Sequence, residues 1–308
     1  MTTNRGAIQK SLIPGVHAIV GLNYAETPVE HEPLFDIYNS VRSFEEEQYQ
    51  SGLGGAPIKP EGSAVQFDDI QETYTSRYRH ETVALGFAIT KEAADDDLYE
   101  TIAKAKSQEL GRAMADTKQV KAAAIFNNGF DTSAPGGDGE PLFSNTHPTT
   151  VGSFSNKVSV DLSESALEDA TIAISKIEND RGILLSLREK SLHIPPELQY
   201  VAHKILKSQL STNTSTAGSN GITNVNDMNI LNNNGRFPGG VYINHRFTDP
   251  DAWFVRTTAP NGTKMFVREK LSGQEDIDFS TDNMLFKFRE RYSFGWTDPR
   301  HWYCSQGA

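Results

Sequence analysis

The chain has a single cysteine, Cys304, in 308 residues, which excludes an intramolecular disulfide framework and any cysteine-based zinc cluster. No apolar run approaches the roughly 18 residues that a membrane-spanning helix needs. The opening residues MTTNRGAIQKSLIPGVHAIVG lack a secretory apolar region and a cleavage site, so the product is expected to stay in the cytoplasm, at least initially. Positive charge is short: 29 Lys and Arg against 40 Asp and Glu leave a formal net charge of -11. No basic run is long enough to make a phosphate-binding patch, so direct nucleic-acid recognition is disfavoured. Catalytic templates are missing as well. None of the eight histidines forms an i, i+4 pair around a glutamate, and there is no G-x-S-x-G elbow, no P-loop and no G-x-G-x-x-G after a strand.

What is present is enough apolar residue, 37%, for a real core in one large domain or two smaller ones. The organising stretch runs from Asp95 to Phe130, proline-free, with one interior glycine, Gly111, and rich in good helix formers. Asp97 and Glu100 have the spacing of a capping box, and Asn127, Asn128 and Gly129 supply a stop. About 30 residues at 1.5 Å each make a rod of roughly 45 Å, long enough to cross a domain. Its expected apolar stripe is Ile102, Leu110, Ala113, Val120 and Ala124.

Before this helix, residues 1–42 read as an arm in which Pro14, Pro28 and Pro33 break any long element, with a short helix near Leu34 to Val41. Residues 43–90 read as a long hairpin with a glycine- and proline-rich tip, Gly52 to Gly62. Its strands are polar and neither face looks able to bury itself in the chain's own core. Only Val83, Leu85, Phe87 and Ile89 alternate like a half-buried strand. Pairing with another subunit and a solvated insertion are the two readings of such a hairpin.

After the helix, a loop of about 25 residues contains Asp131, Asp138, Glu140 and His147, but their spacing matches neither the calcium loop nor a zinc motif, so no metal is expected. A helix capped by Ser163, with Leu167, Ile174 and Ile177 on one face, should end at Gly182. A strand around Ser191 to Ile194 and a helix from Glu197 to Leu210, opened by Pro195-Pro196, complete a helix-strand-helix unit. A polar loop follows at 211–227. Strands are then expected at Met228 to Leu231, Gly240 to Asn244, Ala252 to Arg256 and Lys264 to Glu269, the last two joined in a hairpin by Pro260-Asn261-Gly262. In the closing strand Leu285, Lys287, Arg289 and Arg291 alternate with Phe286, Phe288, Glu290 and Tyr292, bending at Gly295 and Pro299. His245 reads as a solvated strand-end histidine without a partner, and Cys304 as a packing residue.

This order of parts resembles the major capsid proteins of tailed phages, the Hong Kong 97 phage fold. Most weight falls on Asn283, Arg289, Glu290, Arg291, Tyr292, Gly295 and Pro299, and on FNNGFDTSAPGGDGEPLFSNTHP, which is similar to Mu-like prophage major head subunits. The resemblance implies an α+β fold: an N-terminal arm (1–42), an extended hairpin loop (43–90), a peripheral domain with a spine helix (91–159 and 271–308) and an axial domain (160–270). It implies a structural shell protein rather than an enzyme, with no cofactor, located in the virion head and assembled in the host cytoplasm. Its partners would be its own copies in pentamers and hexamers, a separate scaffolding protein, a portal and, optionally, a decoration protein, around DNA held without sequence-specific binding. Candidate inter-subunit contacts are Glu45, Glu46, Glu47, Gly54, Lys59, Asp68, Asp69, Arg77, Arg79, Arg289 and Arg291. Lys59 is the tip's lysine, and the lysine cross-link of the family's founding member is not expected here. The alternatives are an encapsulin-like compartment and, further off, a metal-dependent hydrolase.

Overall fold

The computed structural model describes residues 5–95, 99–209 and 228–308. Helix α1 (Arg5–Glu26) leads into β1 (Asp36–Asn39), β2 (Phe44–Gln50), β3 (Glu72–Arg79) and β4 (Glu81–Ile89). Next come α2 (Lys91–Asp95), the long α3 (Tyr99–Asn127) and three short strands, β5 (His147–Pro148), β6 (Ser153–Phe154) and β7 (Lys157–Val158). The chain continues through α4 (Glu164–Ser175), β8 (Glu189–Ile194), α5 (Gln199–Lys207), α6 (Ile230–Asn233) and β9 (Val241–Ile243). It closes with β10 (Trp253–Thr257), β11 (Thr263–Ile277), β12 (Met284–Trp296) and β13 (Trp302–Ser305). Asp97 of the expected capping box and the polar loop 211–227 lie outside the described residues.

One sheet has the order β1-β11-β12-β4 and carries α1 and α3 on one face. The closing strand β12 alternates as expected: Met284, Phe286, Phe288, Glu290 and Tyr292 are buried, and Leu285 and Lys287 are exposed. Glu290 is tolerated inside because the Lys118 ammonium, from α3, lies 2.5 Å away and the Tyr24 hydroxyl, from α1, donates to it at 2.9 Å.

The α3 span is as expected, but its stripe is not. The buried residues are Ala103, Ser107, Leu110, Met114, Ala115, Ala122, Ala123 and Phe126, whereas Ile102 and Val120 point outward. Helix α3 packs on the sheet and closely against α1 beside it, and small side chains permit that approach. At Gly111 a Cβ would stand 2.7 Å from the Val20 carbonyl of α1. The arm is likewise different from its sequence reading. Pro14 falls inside α1, where it costs about 3 kcal/mol, a penalty offset by burial of Val16, Val20 and Asn23 at helical spacing against α3. The segment expected as a short helix, Leu34 to Val41, instead supplies β1, parallel to β11, because Leu34 and Phe35 anchor the chain in the core ahead of it.

Strands β2-β3 and β5-β6 form two-stranded pairs, and a five-stranded sheet has the order β7-β13-β10-β8-β9. Its central strand β10 is buried throughout and divides two cores. Trp253 and Val255 face a core with Leu167, Ile174 and Ile177 of the α4 region, while Phe254 faces one shared with Phe126, Tyr292 and Trp302. Ser163 caps α4 by accepting from the Ala166 N–H at 3.1 Å. Two strand expectations fail here. Met228 to Leu231 was expected as strand, but the Asn229 side chain accepts from the Asn232 N–H and so starts the turn α6. Pro260-Asn261-Gly262 does not close a hairpin: β10 and β11 belong to different sheets, and the turn, with Asn261 at φ 57, carries the chain between them. Its free carbonyls are taken by the closing segment, with Thr297 N–H on Gly262 at 3.1 Å and Asp298 N–H on Asn261 at 2.9 Å.

The loop after α3 packs without spare room. A Cβ on Gly136 would lie 2.1 Å from the Trp296 ring, whereas one on Gly55 would meet nothing within 4 Å. Gly136→Ala is therefore expected to cost about 1–3 kcal/mol by overpacking. Gly55→Ala should be neutral or slightly stabilising, and urea unfolding of the two variants side by side checks the contrast.

Candidate assembly surfaces

The hairpin of β2 and β3 is rooted in its own subunit more firmly than its polar sequence indicates. Tyr74, Ser76 and Tyr78 recur at every second position of β3, and they face inward. Tyr78 is buried edge-on to Phe266, 4.9 Å between ring centres, with its hydroxyl 2.5 Å from Thr297 Oγ1. The Tyr74 hydroxyl donates to the Thr297 carbonyl at 2.8 Å. The expectation that neither face could be buried is thus corrected for the base of the hairpin: alternating tyrosines bury it, and their hydroxyls find polar partners.

Below the hairpin sits a buried arginine that sequence reasoning did not single out. Arg300 donates to Asp180 at 2.5 Å, to the Glu178 carbonyl at 2.9 Å and to the Tyr49 hydroxyl of β2 at 2.7 Å. It thereby joins the hairpin, the turn after α4 and the chain's closing segment. Its neighbour Asp298 is buried enough for its carboxyl pKa to be pushed up, with Arg300 opposing that shift.

The candidate contact residues fall into distinct places. Glu46 pairs with Arg77 across the ladder at 2.5 Å, and Glu47 with the buried Lys264 at 2.5 Å. Glu45 accepts from Ser40 Oγ at 2.7 Å and lies 3.8 Å from Arg42. Asp68 accepts from the Gly54 N–H at 2.7 Å and from Arg181 at 2.9 Å, which hold its carboxyl below the usual range, the backbone bond first. Asp69 folds onto the Ile70 N–H at 2.9 Å. Arg79 stands opposite Phe44 in the ladder, and Lys59 is exposed on the tip. Arg289 pairs with Glu269 at 2.9 Å, and Arg291 stands between Glu269 and Thr82. The acids of the hairpin and the arginines of β12 are not brought together within one subunit.

Between Gly52 and Gln71 the chain forms no strand and is exposed along most of its length, with Asp68 and Asp69 held to Arg181. Ile58 is 95% exposed, Phe67 93% and Val65 61%, an apolar group that the subunit does not cover. On β12, Lys287, Arg289 and Arg291 point to the sheet face opposite α3, beside Gly86, Ala84 and Thr82 on β4. The apolar group is uncovered and the β12 row partly so, and a heterologous contact joins two such different patches of one chain.

The loop residues considered as metal ligands are engaged otherwise. His147 and Asp138 form a buried pair at 2.7 Å, Glu140 accepts from Ser144, and Asp131 from Ser133. Among the described residues no three His, Cys, Asp or Glu side chains converge on one point. His245 has a partner after all, Glu30 at 2.7 Å, which also takes Arg246 at 2.9 Å. Cys304 is fully buried, and burial pushes its thiol pKa well up, so it packs and does not ionise.

The family model described as "Phage capsid protein" matches residues 72–305. Similar solved structures include the virus-like particle from Pyrococcus furiosus, at 11% identity and TM-score 0.54, covering 94% of this chain and 97% of that one. The capsid of an empty GTA particle is similar at 12% identity and TM-score 0.53, covering 90% and 88%. The capsid of Myoviridae phage XM1 is similar at 10% identity and TM-score 0.50, covering 92% and 93%. No curated protein sequence matches. At such identities these structures speak for the fold, which is of the Hong Kong 97 phage type. The family match, running from the start of β3 to the end of β13 and so over well more than half of the sequence, shows that this chain belongs to the phage capsid protein family.

Proposed function

We propose that this chain is the major shell subunit of a tailed-phage head, joining copies of itself in pentamers and hexamers to close an icosahedral shell around double-stranded DNA. The observation that carries this reading, beside family membership, is the hairpin: a stalk anchored by Tyr74 and Tyr78 that holds Ile58, Val65 and Phe67 out in solvent. An apolar group on a rooted stalk gains its burial free energy only from another molecule. In a ring of identical subunits each hairpin lies over the next copy, and rings of five and six tile a closed surface.

On this reading residues 1–42 are the arm and 43–90 the extended loop, 91–159 with 271–308 form the peripheral domain around α3, and 160–270 form the axial domain. Scaffolding and portal proteins complete assembly in the host cytoplasm. The net charge of -11 per chain argues that DNA is retained by confinement and not by affinity. A second reading, a compartment that encloses protein cargo, is favoured by the similarity to a virus-like particle. The experiment is to purify particles made in the presence of the neighbouring phage genes. Nuclease-protected DNA inside, with free subunits that do not bind DNA at physiological salt, fits the phage head. Particles filled with protein and no DNA support the compartment instead.

A further inference from the structure

Arg256 of β10 is buried and reaches across the seam between the two sheets. Its Nη1 donates to the Pro33 carbonyl at 2.8 Å and its Nη2 to the Asp36 carboxylate, on β1, at 2.7 Å. Its Nε–H goes to His301 Nε2 at 2.8 Å, and His301 Nδ1 faces the Ala259 carbonyl at 2.5 Å. A guanidinium only donates and a carbonyl only accepts, so the ring must donate from Nδ1 and accept at Nε2. The site holds neutral imidazole alone, since a proton on Nε2 would set N–H against N–H.

A second histidine lies in the same cluster. His193 of β8 is buried, stacked on Tyr242 with ring centres 5.0 Å apart and edge-on to Trp302 at 5.1 Å, and its Nε2 shares a hydrogen bond with Ser191 Oγ at 2.8 Å. The charged groups that act on the two histidines are Arg256, Lys190 and Asp36, two cations to one anion.

We propose that this cluster is an acid-sensitive latch between the sheets: when His301 and His193 take up protons, Arg256 lets go of Pro33 and Asp36, and β1 parts from β10. Burial, followed by the charge on Arg256, holds His193 at about 3 and His301 at about 4, against an ordinary 6.5. The opened form binds protons near 6.5 and the closed form only well below, so the latch is at full strength above about pH 6.5 and weakens steadily as pH falls from there towards the depressed values. Each histidine contributes up to about tenfold per pH unit, and the pair up to about 100-fold.

The experiment follows amide hydrogen exchange, corrected for intrinsic rates, in the folded subunit between about pH 7 and about pH 4.5. The wild type is compared with the double variant His193→Gln/His301→Gln, whose amides can donate and accept as the neutral rings do but cannot titrate. Protection of residues 33–39 and 253–257 should fall in acid in the wild type while α4 stays protected, and should stay level in the variant. The same acid dependence in both proteins would overturn the latch. Should the variant not fold, histidine NMR of the wild type decides: both rings neutral until protection is lost supports it, and either ring titrating near 6.5 in the closed fold overturns it.

Discussion

Arg300→Ala is expected to cost the subunit about 3–5 kcal/mol, the usual result of removing one partner of a buried ion pair. The variant leaves Asp180, 2% exposed at the side chain, without its cation, and it also removes donors to the Glu178 carbonyl and the Tyr49 hydroxyl. Asp298 loses the nearby positive charge that opposes its burial. Arg300→Lys keeps the charge but offers one nitrogen where three separate guanidinium nitrogens serve the three acceptors, so it should fall between the alanine variant and the wild type. Chemical denaturation of the three proteins is the measurement, and a loss below about 1 kcal/mol for the alanine variant would contradict the role assigned to this residue.

The second large effect concerns assembly. Deleting residues 52–62 is expected to leave the subunit folded and to abolish shell formation. Folding should survive because Ser51 N–H still closes the base on the Gln71 carbonyl at 3.0 Å, and Tyr74 and Tyr78 keep their places. The deletion removes Gly54, which donates to Asp68, but Arg181 still holds that carboxylate. Shortening an exposed loop changes its closure entropy by only about 0.6 kcal/mol per halving. Assembly should fail because the deletion takes away Leu53 and Ile58 and withdraws the remaining apolar group from the reach of a neighbour. Thermal unfolding and sedimentation of the assembly reaction are read together. Normal shells would refute the hairpin's inter-subunit role, and an unfolded product would place the tip in the subunit's own core.

How much of this was legible in the sequence depends on whether the cause is local. The alternation of Phe286, Phe288, Glu290 and Tyr292 is a period of two that only a strand produces, and β12 follows it. The proline-free stretch gave α3 to within a few residues. The stripe of α3 is not legible locally, because large apolar residues ordinarily mark the buried face of a helix. Two close neighbours left room there mainly for Ala103, Ser107, Ala115, Ala122 and Ala123, with Ile102 and Val120 turned outward. Helix α1 was hidden by Pro14, a local penalty that packing of Val16 and Val20 overrides. The turn at Asn261 is a hairpin sequence by local rules, and only the division of β10 and β11 between sheets decides otherwise.

The site residues divide in the same way. A polar hairpin with a glycine-rich tip is visible as a pattern, and so is the cationic row of β12. Arg300 was not, since its partners Asp180 and Tyr49 are 120 and 251 positions away in sequence. Arg256 and His301 are hidden for the same reason, being 45 positions apart and on different elements.

The most direct measurement of the central claim is cryo-electron microscopy of the chain produced with its neighbouring assembly genes. Closed icosahedral particles are expected, in which pentamers and hexamers are built from this subunit, with the tip at residues 52–62 ordered on an adjacent copy. A sample holding only 34 kDa monomers at high concentration with its assembly partners present, or particles in which the tip touches nothing, would contradict it.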